Sequence, residues 1–177
     1  FMPWFGSPLP RPSLVTSGWG DDRSYRGGTH EGLDFRAAVG AAVFSVASGK
    51  VAHVDHLADS NAGRWVSVDH GDGWLSRYLH LSKIMVDKGQ QVSGGGLIAY
   101  SGQTGNPTIS SPHLHFDMKR NDVAIPSEPY IPVDKYADKV IEMARANGIP
   151  LKGAGTNWVT LAALVGLGYV GYRVIRG

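Results

Sequence analysis

The sequence predicts a mainly β domain, because short runs of alternating apolar and polar residues recur between frequent turns. The chain contains 24 glycines and 10 prolines in 177 residues, a composition that suits a turn-dense β protein better than a helical one. No stretch before residue 131 has the periodicity of a long helix. We therefore expect a small antiparallel β-sheet or sandwich over residues 1–130, followed by two segments of different character.

The strands of this domain are predicted in order from their turns. Residues 43–46 and 50–54 flank the Ser48-Gly49 turn, which is the pattern of a β-hairpin. Residues 64–70 and 73–80 flank a second turn rich in glycine and aspartate, and they predict a second hairpin.

Regular alternation in the last of these strands would place Tyr78 and His80 on one face and Leu79 and Leu81 on the other. Tyr78 is then a candidate to assist His80, although an ordinary strand tyrosine is an equal alternative. The glycine run 94–96 separates this strand from another at residues 97–101. The aromatic segment 1–5 is expected to pack on the domain, with a membrane interface as the alternative.

Residues 131–155 form a helix and linker in our interpretation. Asp134 can cap a helix that runs to Asn147, and Gly148 and Pro150 can end it. Its apolar stripe consists of Tyr136, Val140, Ile141 and Ala144. A helix packed on the β domain is favoured over a partner-binding helix.

Residues 153–172 carry no charge, and residues 156–175 are predicted to form a C-terminal transmembrane helix. Twenty helical residues span about 30 Å, the thickness of a bilayer core. Trp158 at one edge and Tyr169 and Tyr172 at the other suit the two membrane interfaces. The alternative is a buried helix or strand of a soluble protein. A short arginine-bearing tail would lie on the cytoplasmic side, leaving the β domain outside.

Charge and cysteine content exclude some functions. The formal net charge is +2, and without a cluster of Lys and Arg no nucleic-acid partner is expected. Cysteine is absent, so the fold needs no disulfides.

Three short motifs carry the chemistry: residues 30–34 (HEGLD), 78–81 (YLHL) and 113–116 (HLHF). On a strand His113 and His115 point the same way about 7 Å apart, so one can bind a metal while the other reaches what is bound beside it. His30 and Asp34 would lie about 13 Å apart on a straight strand, but Gly32 permits a bend between them. Two histidines and one aspartate suit a catalytic zinc with one open position.

These motifs, in this order and at these separations, resemble the lysostaphin/LytM-type zinc endopeptidases, which cut peptidoglycan cross-bridges. The likeness continues between the motifs, in residues 17–20 (SGWG), 47–51 (ASGKV), 68–73 (VDHGDG) and 101–105 (SGQTG). It extends from about Pro8 to Met118. Each piece alone is weak, but the ordered set is specific.

The resemblance implies a β metallopeptidase domain with Zn²⁺ as its cofactor. It makes His30, Asp34 and His115 the metal ligands and His80 and His113 the catalytic pair. One of the pair would take the proton from water, and the other would donate to the oxyanion or the leaving amine, in an order that the sequence leaves open. Residues 55–63 and 106–112 would line a cleft for a peptidoglycan peptide.

The expected protein is thus a zinc endopeptidase anchored in a membrane, with its catalytic domain facing the cell wall. One alternative is a non-catalytic wall-binding or activator module, against which the presence of all five positions argues. Another is a structural component of an envelope or virion membrane, with envelope or virion proteins as partners. A lytic enzyme in the virion of a membrane-containing bacteriophage is compatible with the enzymatic interpretation.

Overall fold

The computed structural model describes residues 5–10, 13–23, 28–105 and 111–132. Within these ranges the chain forms twelve β-strands, and their antiparallel pairing confirms the predicted mainly β class. The strands are β1 (Val15–Ser17), β2 (Asp22–Arg23), β3 (Gly28–Thr29), β4 (Leu33–Arg36), β5 (Ala42–Phe44), β6 (Gly49–Asp55), β7 (Arg64–Gly71), β8 (Trp74–Ile84), β9 (Gln91–Val92), β10 (Leu97–Ser101), β11 (His113–Arg120) and β12 (Val123–Ile125).

Ten of these strands belong to one sheet, whose main path runs β1-β4-β11-β8-β7-β6-β9, while β2 and β3 form a separate pair. The long strand β8 organises the sheet. Its first half pairs with β11, through contacts such as Leu79 with His115. Its second half pairs with β10, through contacts such as Leu81 with Ser101. The sheet therefore branches near His80, between these two halves.

One face of the sheet carries the hydrophobic core. Side chains at alternate positions of β4 and β11, including Leu33, Phe35, Leu114 and Phe116, have no solvent exposure. Burial of such a side chain stabilises the fold by about 1.5–3 kcal/mol. Because neighbouring residues of a strand point to opposite faces, burying these residues turns Asp34 and His115 towards the other face.

The second predicted hairpin is confirmed, because β7 pairs antiparallel with β8 across the turn at residues 72–73. The strand predicted after the glycine run is also present as β10. The first predicted hairpin is wrong. β5 pairs with β10, whereas β6 pairs with β7 and β9. Local alternation marks residues as extended, but it does not select their partner strand, which depends on long-range packing.

Phe5 packs on the domain as predicted, with its ring 5.4 Å from His70 and 5.3 Å from Trp74. Among the described residues we find no helix that is both long and apolar enough to cross a bilayer. The predicted helix at 134–147 and the predicted membrane span at 156–175 lie outside the described residues.

Candidate active site and metal centre

The polar face of the sheet gathers the five residues singled out in the sequence. His30 directly follows β3, Asp34 lies in β4, and His115 lies opposite Asp34 in the register of β4 with β11. His80 comes from β8, with its ring centroid 4.9 Å from that of His113 and 6.0 Å from that of His115. Strand pairing thus brings together residues more than 80 positions apart in the chain.

Three ligand-type atoms converge at the centre of this group. His30 Nε2 lies 3.1 Å from His115 Nδ1 and 3.2 Å from Asp34 Oδ1. His115 Nδ1 lies 2.9 Å from Asp34 Oδ1. A tetrahedral zinc site with bonds of about 2.0–2.1 Å has neighbouring ligand atoms roughly 3.4 Å apart. The three atoms therefore match one triangular face of such a site, with its fourth corner left open.

Groups behind these atoms set their orientation. His30 Nδ1 lies 2.8 Å from the carbonyl oxygen of Gly18, which can only accept, so the hydrogen of His30 is on Nδ1 and Nε2 presents a lone pair. Arg23 donates to the other oxygen of Asp34, Oδ2, at 2.6 Å. On the far side of His115, Nε2 faces Asp117 Oδ2 at 3.4 Å.

Charge at the centre favours a cation. Burial would raise the pKa of Asp34, but the neighbouring His115 and His30 hold it well below its usual range. Burial would lower the pKa of His115, but the neighbouring carboxylates of Asp117 and Asp34 raise it to about 9. A carboxylate and two imidazole nitrogens that face one point suit a borderline metal such as zinc. A proton and a metal ion therefore compete for the lone pair of His115 Nδ1.

His80 reaches the site through an irregularity in β8. Two steps along β7, from Arg64 to Val66, correspond to three along β8, from Leu81 to Tyr78, so β8 carries an extra residue. His80 has a φ of 65°, which is a left-handed backbone conformation that residues other than glycine rarely adopt. A β-bulge of this kind redirects one side chain out of the regular alternation.

This bulge overturns the predicted alternation of β8. Tyr78 and Leu81, rather than Tyr78 and His80, share the core face, and both are fully buried. The hydroxyl of Tyr78 accepts hydrogen bonds from the Val46 amide at 2.9 Å and the Ser76 hydroxyl at 3.0 Å. Burial raises the pKa of Tyr78 to about 12. Tyr78 is therefore a core residue that does not assist His80.

Contacts from two loops hold His80 in place. Its backbone N–H donates to Ala62 at 3.0 Å, and its Nδ1 donates to the carbonyl of Thr104 at 3.0 Å. Nε2 is then the nitrogen without the hydrogen. Burial, together with the neighbouring His113 and His115, lowers the pKa of His80 to about 3, so this imidazole is neutral at neutral pH.

His113 adopts the regular orientation predicted for it. It shares a face with His115, while Leu114 between them is buried in the core. His113 Nδ1 donates to the Ser111 carbonyl at 2.9 Å, which leaves Nε2 facing the site, 3.8 Å from Asp34 Oδ1. Both members of the predicted catalytic pair therefore present Nε2 to the same space.

Gly32 lies in the predicted bend, and its small size is needed for a further reason. A Cβ atom here would lie 2.7 Å from the Phe116 carbonyl oxygen and 2.8 Å from His115 Nε2. A larger residue would collide with the ring of His115.

The sequence analysis missed the residues that lie behind the site: Arg23 beside Asp34, Thr104 beside His80, and Asp117 beside His115, with Arg77 donating a hydrogen bond to Asp117. One signal was present: Asp117 follows His115 by two residues, the spacing that places side chains on the same strand face. Of the predicted cleft segments, residues 55–63 approach His80 through Ala62, whereas residues 106–110 lie outside the described part. His53 stacks on Trp65, with ring centroids 4.2 Å apart.

Comparison with known proteins agrees with this geometry. The model of peptidase family M23 matches residues 28–127. The peptidoglycan DD-endopeptidase ShyA of Vibrio cholerae is 42% identical over 89 residues, which are 50% of this chain and 20% of ShyA. A zinc-containing peptidase structure from Vibrio cholerae superposes with a TM-score of 0.63 at 34% identity, covering 70% of this chain and 39% of the other.

The catalytic domain of the antimicrobial peptidase lysostaphin from Staphylococcus simulans superposes with a TM-score of 0.59 at 32% identity, covering 67% of this chain and 91% of that domain. The first curated relatives are much longer proteins, of which the chain spans a quarter or less. The family model, by contrast, covers more than half of the present chain, including all five residues of the site. This chain therefore belongs to peptidase family M23.

Proposed function

We propose that this chain is a zinc-dependent endopeptidase that hydrolyses peptide cross-links in bacterial peptidoglycan. The observation that carries the proposal is the convergence of His30 Nε2, Asp34 Oδ1 and His115 Nδ1 within 2.9–3.2 Å of one another. Beside them, two further imidazoles present Nε2 to the same space. This is the arrangement that metal-assisted hydrolysis requires: three ligands, an open position, and acid–base groups within reach.

The substrate class is supported by the names of the relatives. ShyA is described as a peptidoglycan DD-endopeptidase, and a relative from Staphylococcus capitis is described as a glycyl-glycine endopeptidase. The two names describe cleavage of different peptide bonds. We therefore propose the polymer and the peptide cross-link, and we leave the choice between the two bonds to experiment.

His30, Asp34 and His115 would hold the zinc ion. When bound, such an ion polarises a peptide carbonyl and lowers the pKa of water. Arg23 keeps Asp34 oriented by holding Oδ2, so that Oδ1 faces the two histidines. The aspartate stays negatively charged, because the two neighbouring histidines hold its pKa well below its usual range.

We assign His80 as the base. Its hydrogen is on Nδ1, where the Thr104 carbonyl accepts it, so the lone pair of Nε2 faces the site. Burial and the neighbouring His113 and His115 lower its pKa, so the imidazole is unprotonated at neutral pH and Nε2 carries its lone pair. His113 takes the complementary role of donor to the oxyanion and the leaving amine, which requires its doubly protonated form, because the hydrogen on Nδ1 is held by the Ser111 carbonyl. Its side chain is the more exposed of the pair, as a group that meets substrate should be.

The decisive experiment is digestion of defined muropeptide dimers, followed by mass spectrometry of the released fragments. The protein loaded with zinc should cleave the cross-link, a chelator should stop the reaction, and added zinc should restore it. The His80→Ala variant is the matched control, because it keeps the three metal ligands and lacks the proposed base. Zinc-loaded protein that binds the dimers without cleaving them would support the non-catalytic module instead.

Membrane anchoring is a separate part of the proposal and rests on the sequence of residues 156–175. The full chain should require detergent or co-purify with lipid, and a chain truncated after Pro150 should be soluble and still cleave cross-links. The catalytic domain would face the cell wall, from a bacterial envelope or from the membrane of a virion. A full chain that is soluble and monomeric without detergent would contradict the anchor and leave the enzymatic proposal intact.

A further inference from the structure

Asp117 is a buried acid that lies beside the metal-site histidine and has no role in the scheme above. Asp117 is fully inaccessible to solvent. One carboxylate oxygen, Oδ1, accepts a hydrogen bond from Arg77 Nε at 2.7 Å. The other, Oδ2, is buried without a hydrogen-bond partner within normal geometry, and it lies 3.4 Å from His115 Nε2.

A buried carboxylate oxygen without a partner is costly, so a neighbouring N–H is expected to face it. His115 Nε2 is placed to supply that N–H. A neutral imidazole carries one hydrogen, and a hydrogen on Nε2 leaves the lone pair on Nδ1. Nδ1 is the atom that lies 3.1 Å from His30 Nε2. The carboxylate therefore selects the nitrogen with which His115 can bind a metal.

Arg77 determines which way the carboxylate is held. Arg77 and Asp117 are directly opposite in the register of β8 with β11, and the Arg77 side chain is 28% exposed, whereas that of Asp117 is fully buried. The guanidinium balances the buried negative charge from the solvent side. Since a guanidinium can only donate hydrogen bonds, an acceptor oxygen must always face it.

We propose that Asp117, held by Arg77, is a positioning residue that fixes the ring orientation and the Nε2–H form of His115, so that Nδ1 faces the metal site. This inference rests on the proposed zinc-binding function. A carboxylate behind a histidine ligand commonly contributes 10- to 100-fold, as an order of magnitude, in metal affinity. A purely structural ion pair in the sheet would contribute to folding but not to the affinity for zinc.

Replacement of Asp117 by asparagine gives a sharp test because an amide has two unlike ends. Arg77 should draw the amide oxygen towards itself, which turns the NH₂ group against His115 Nε2. That contact favours the wrong hydrogen position on the imidazole. We expect Asp117→Asn to weaken zinc binding by about 10- to 100-fold, measured by competition with a chromophoric chelator.

The Arg77→Met variant keeps the apolar stem of the side chain and the carboxylate of Asp117, so its zinc affinity should fall by less than about tenfold. In the double variant Asp117→Asn/Arg77→Met the amide is free to turn its oxygen towards His115. The double variant should therefore bind zinc more tightly than Asp117→Asn alone. Ser67→Ala is the matched control and should leave the zinc affinity unchanged. Ser67 lies on β7, where it is buried and paired with Arg77 of β8.

Long-range ¹⁵N–¹H spectra of His115 supply a second measurement, independent of hydrolysis. The wild-type zinc-bound protein should show the hydrogen on Nε2. Wild-type zinc affinity in folded Asp117→Asn and Arg77→Met proteins would overturn this inference and leave the zinc site in place. If Asp117→Asn does not fold, unchanged affinity and an unchanged His115 spectrum in Arg77→Met would overturn it. Failure of the wild-type chain to bind zinc would instead refute the proposed function together with this inference.

Discussion

The two histidine-bearing strands at the centre of the sheet, β8 and β11, deliver their side chains in different ways. In β11 the alternation is regular, and His113 and His115 face the site because Leu114 and Phe116 occupy the core. In β8 the alternation is interrupted, and His80 faces the site because a bulge with φ of 65° turns it away from Tyr78. A regular strand positions ligands through its own pattern, whereas a bulged strand depends on contacts from elsewhere.

The largest expected effect is loss of the ligand that the regular strand supplies. His115→Ala should lower zinc affinity by more than about 100-fold, because removing a ligand exceeds the usual effect of removing a group behind one. Hydrolysis should fall with it, while circular dichroism should still report a folded β protein. His53→Ala is the control, since His53 stacks on Trp65 away from the cluster. Full zinc occupancy in His115→Ala would disprove its role as a ligand.

On the bulged strand, by contrast, substitution should separate binding from chemistry. His80→Ala should retain zinc and reduce kcat by about 10²- to 10⁴-fold, the range for a positioned acid or base. His113→Ala, on the regular strand β11, should also retain zinc and lose activity, because His113 is not a ligand. Metal analysis and kinetics on the same preparations provide the measurement. Loss of zinc from His113→Ala would mean that His113 and His115 have exchanged roles.

Two glycines sharpen the comparison, one beside each strand. Gly32→Ala should weaken zinc binding, because the new Cβ would lie 2.8 Å from His115 Nε2. Gly63→Ala should leave zinc binding unchanged and reduce kcat by roughly tenfold, which is less than the 10²- to 10⁴-fold expected when the acid–base group itself is lost. Gly63 has φ of +60°, and a Cβ there would collide with Thr104, whose carbonyl orients His80.

Gly28→Ala is the control for both glycine variants, since its Cβ would meet nothing within 4 Å. Equal losses of zinc affinity in Gly32→Ala and Gly63→Ala would show that the two strands do not act separately.

The smallest expected effect concerns the stability of the fold and a histidine on a third strand, His70 of β7. Burial lowers the pKa of His70 below 6.5, so the unfolded chain takes up a proton before the folded protein does. The unfolding free energy should therefore fall as the pH drops from about 6.5 towards the folded-state pKa, with a slope of at most about 1.4 kcal/mol per pH unit. His70→Gln should show a shallower decline in urea titrations at matched zinc concentration. An unchanged slope would contradict this assignment.

Much of the site could be predicted because its residues lie in short sequence motifs. The spacing of His113 and His115 fixes their shared face in any regular strand, and the glycine between His30 and Asp34 marks the bend. Support for these residues could not be predicted in the same way. Arg23, Arg77 and Thr104 each contact their partner through strand pairing or a loop. Such contacts between distant segments cannot be predicted from local residue spacing.

The sequence by itself determined the mainly β class and the β7–β8 hairpin, because alternation and turn residues act over short distances along the chain. It also supplied the five candidate site residues, through their short motifs and the family resemblance that these motifs carry. Only the tertiary structure decided that β5 pairs with β10, that Tyr78 enters the core, and that His80 turns towards the metal cluster. Those outcomes depend on which strands pack together and on the extra residue that β8 must accommodate between β11 and β10. Strand partners and the bulge are determined by contacts between distant segments, which exist only once the sheet has formed.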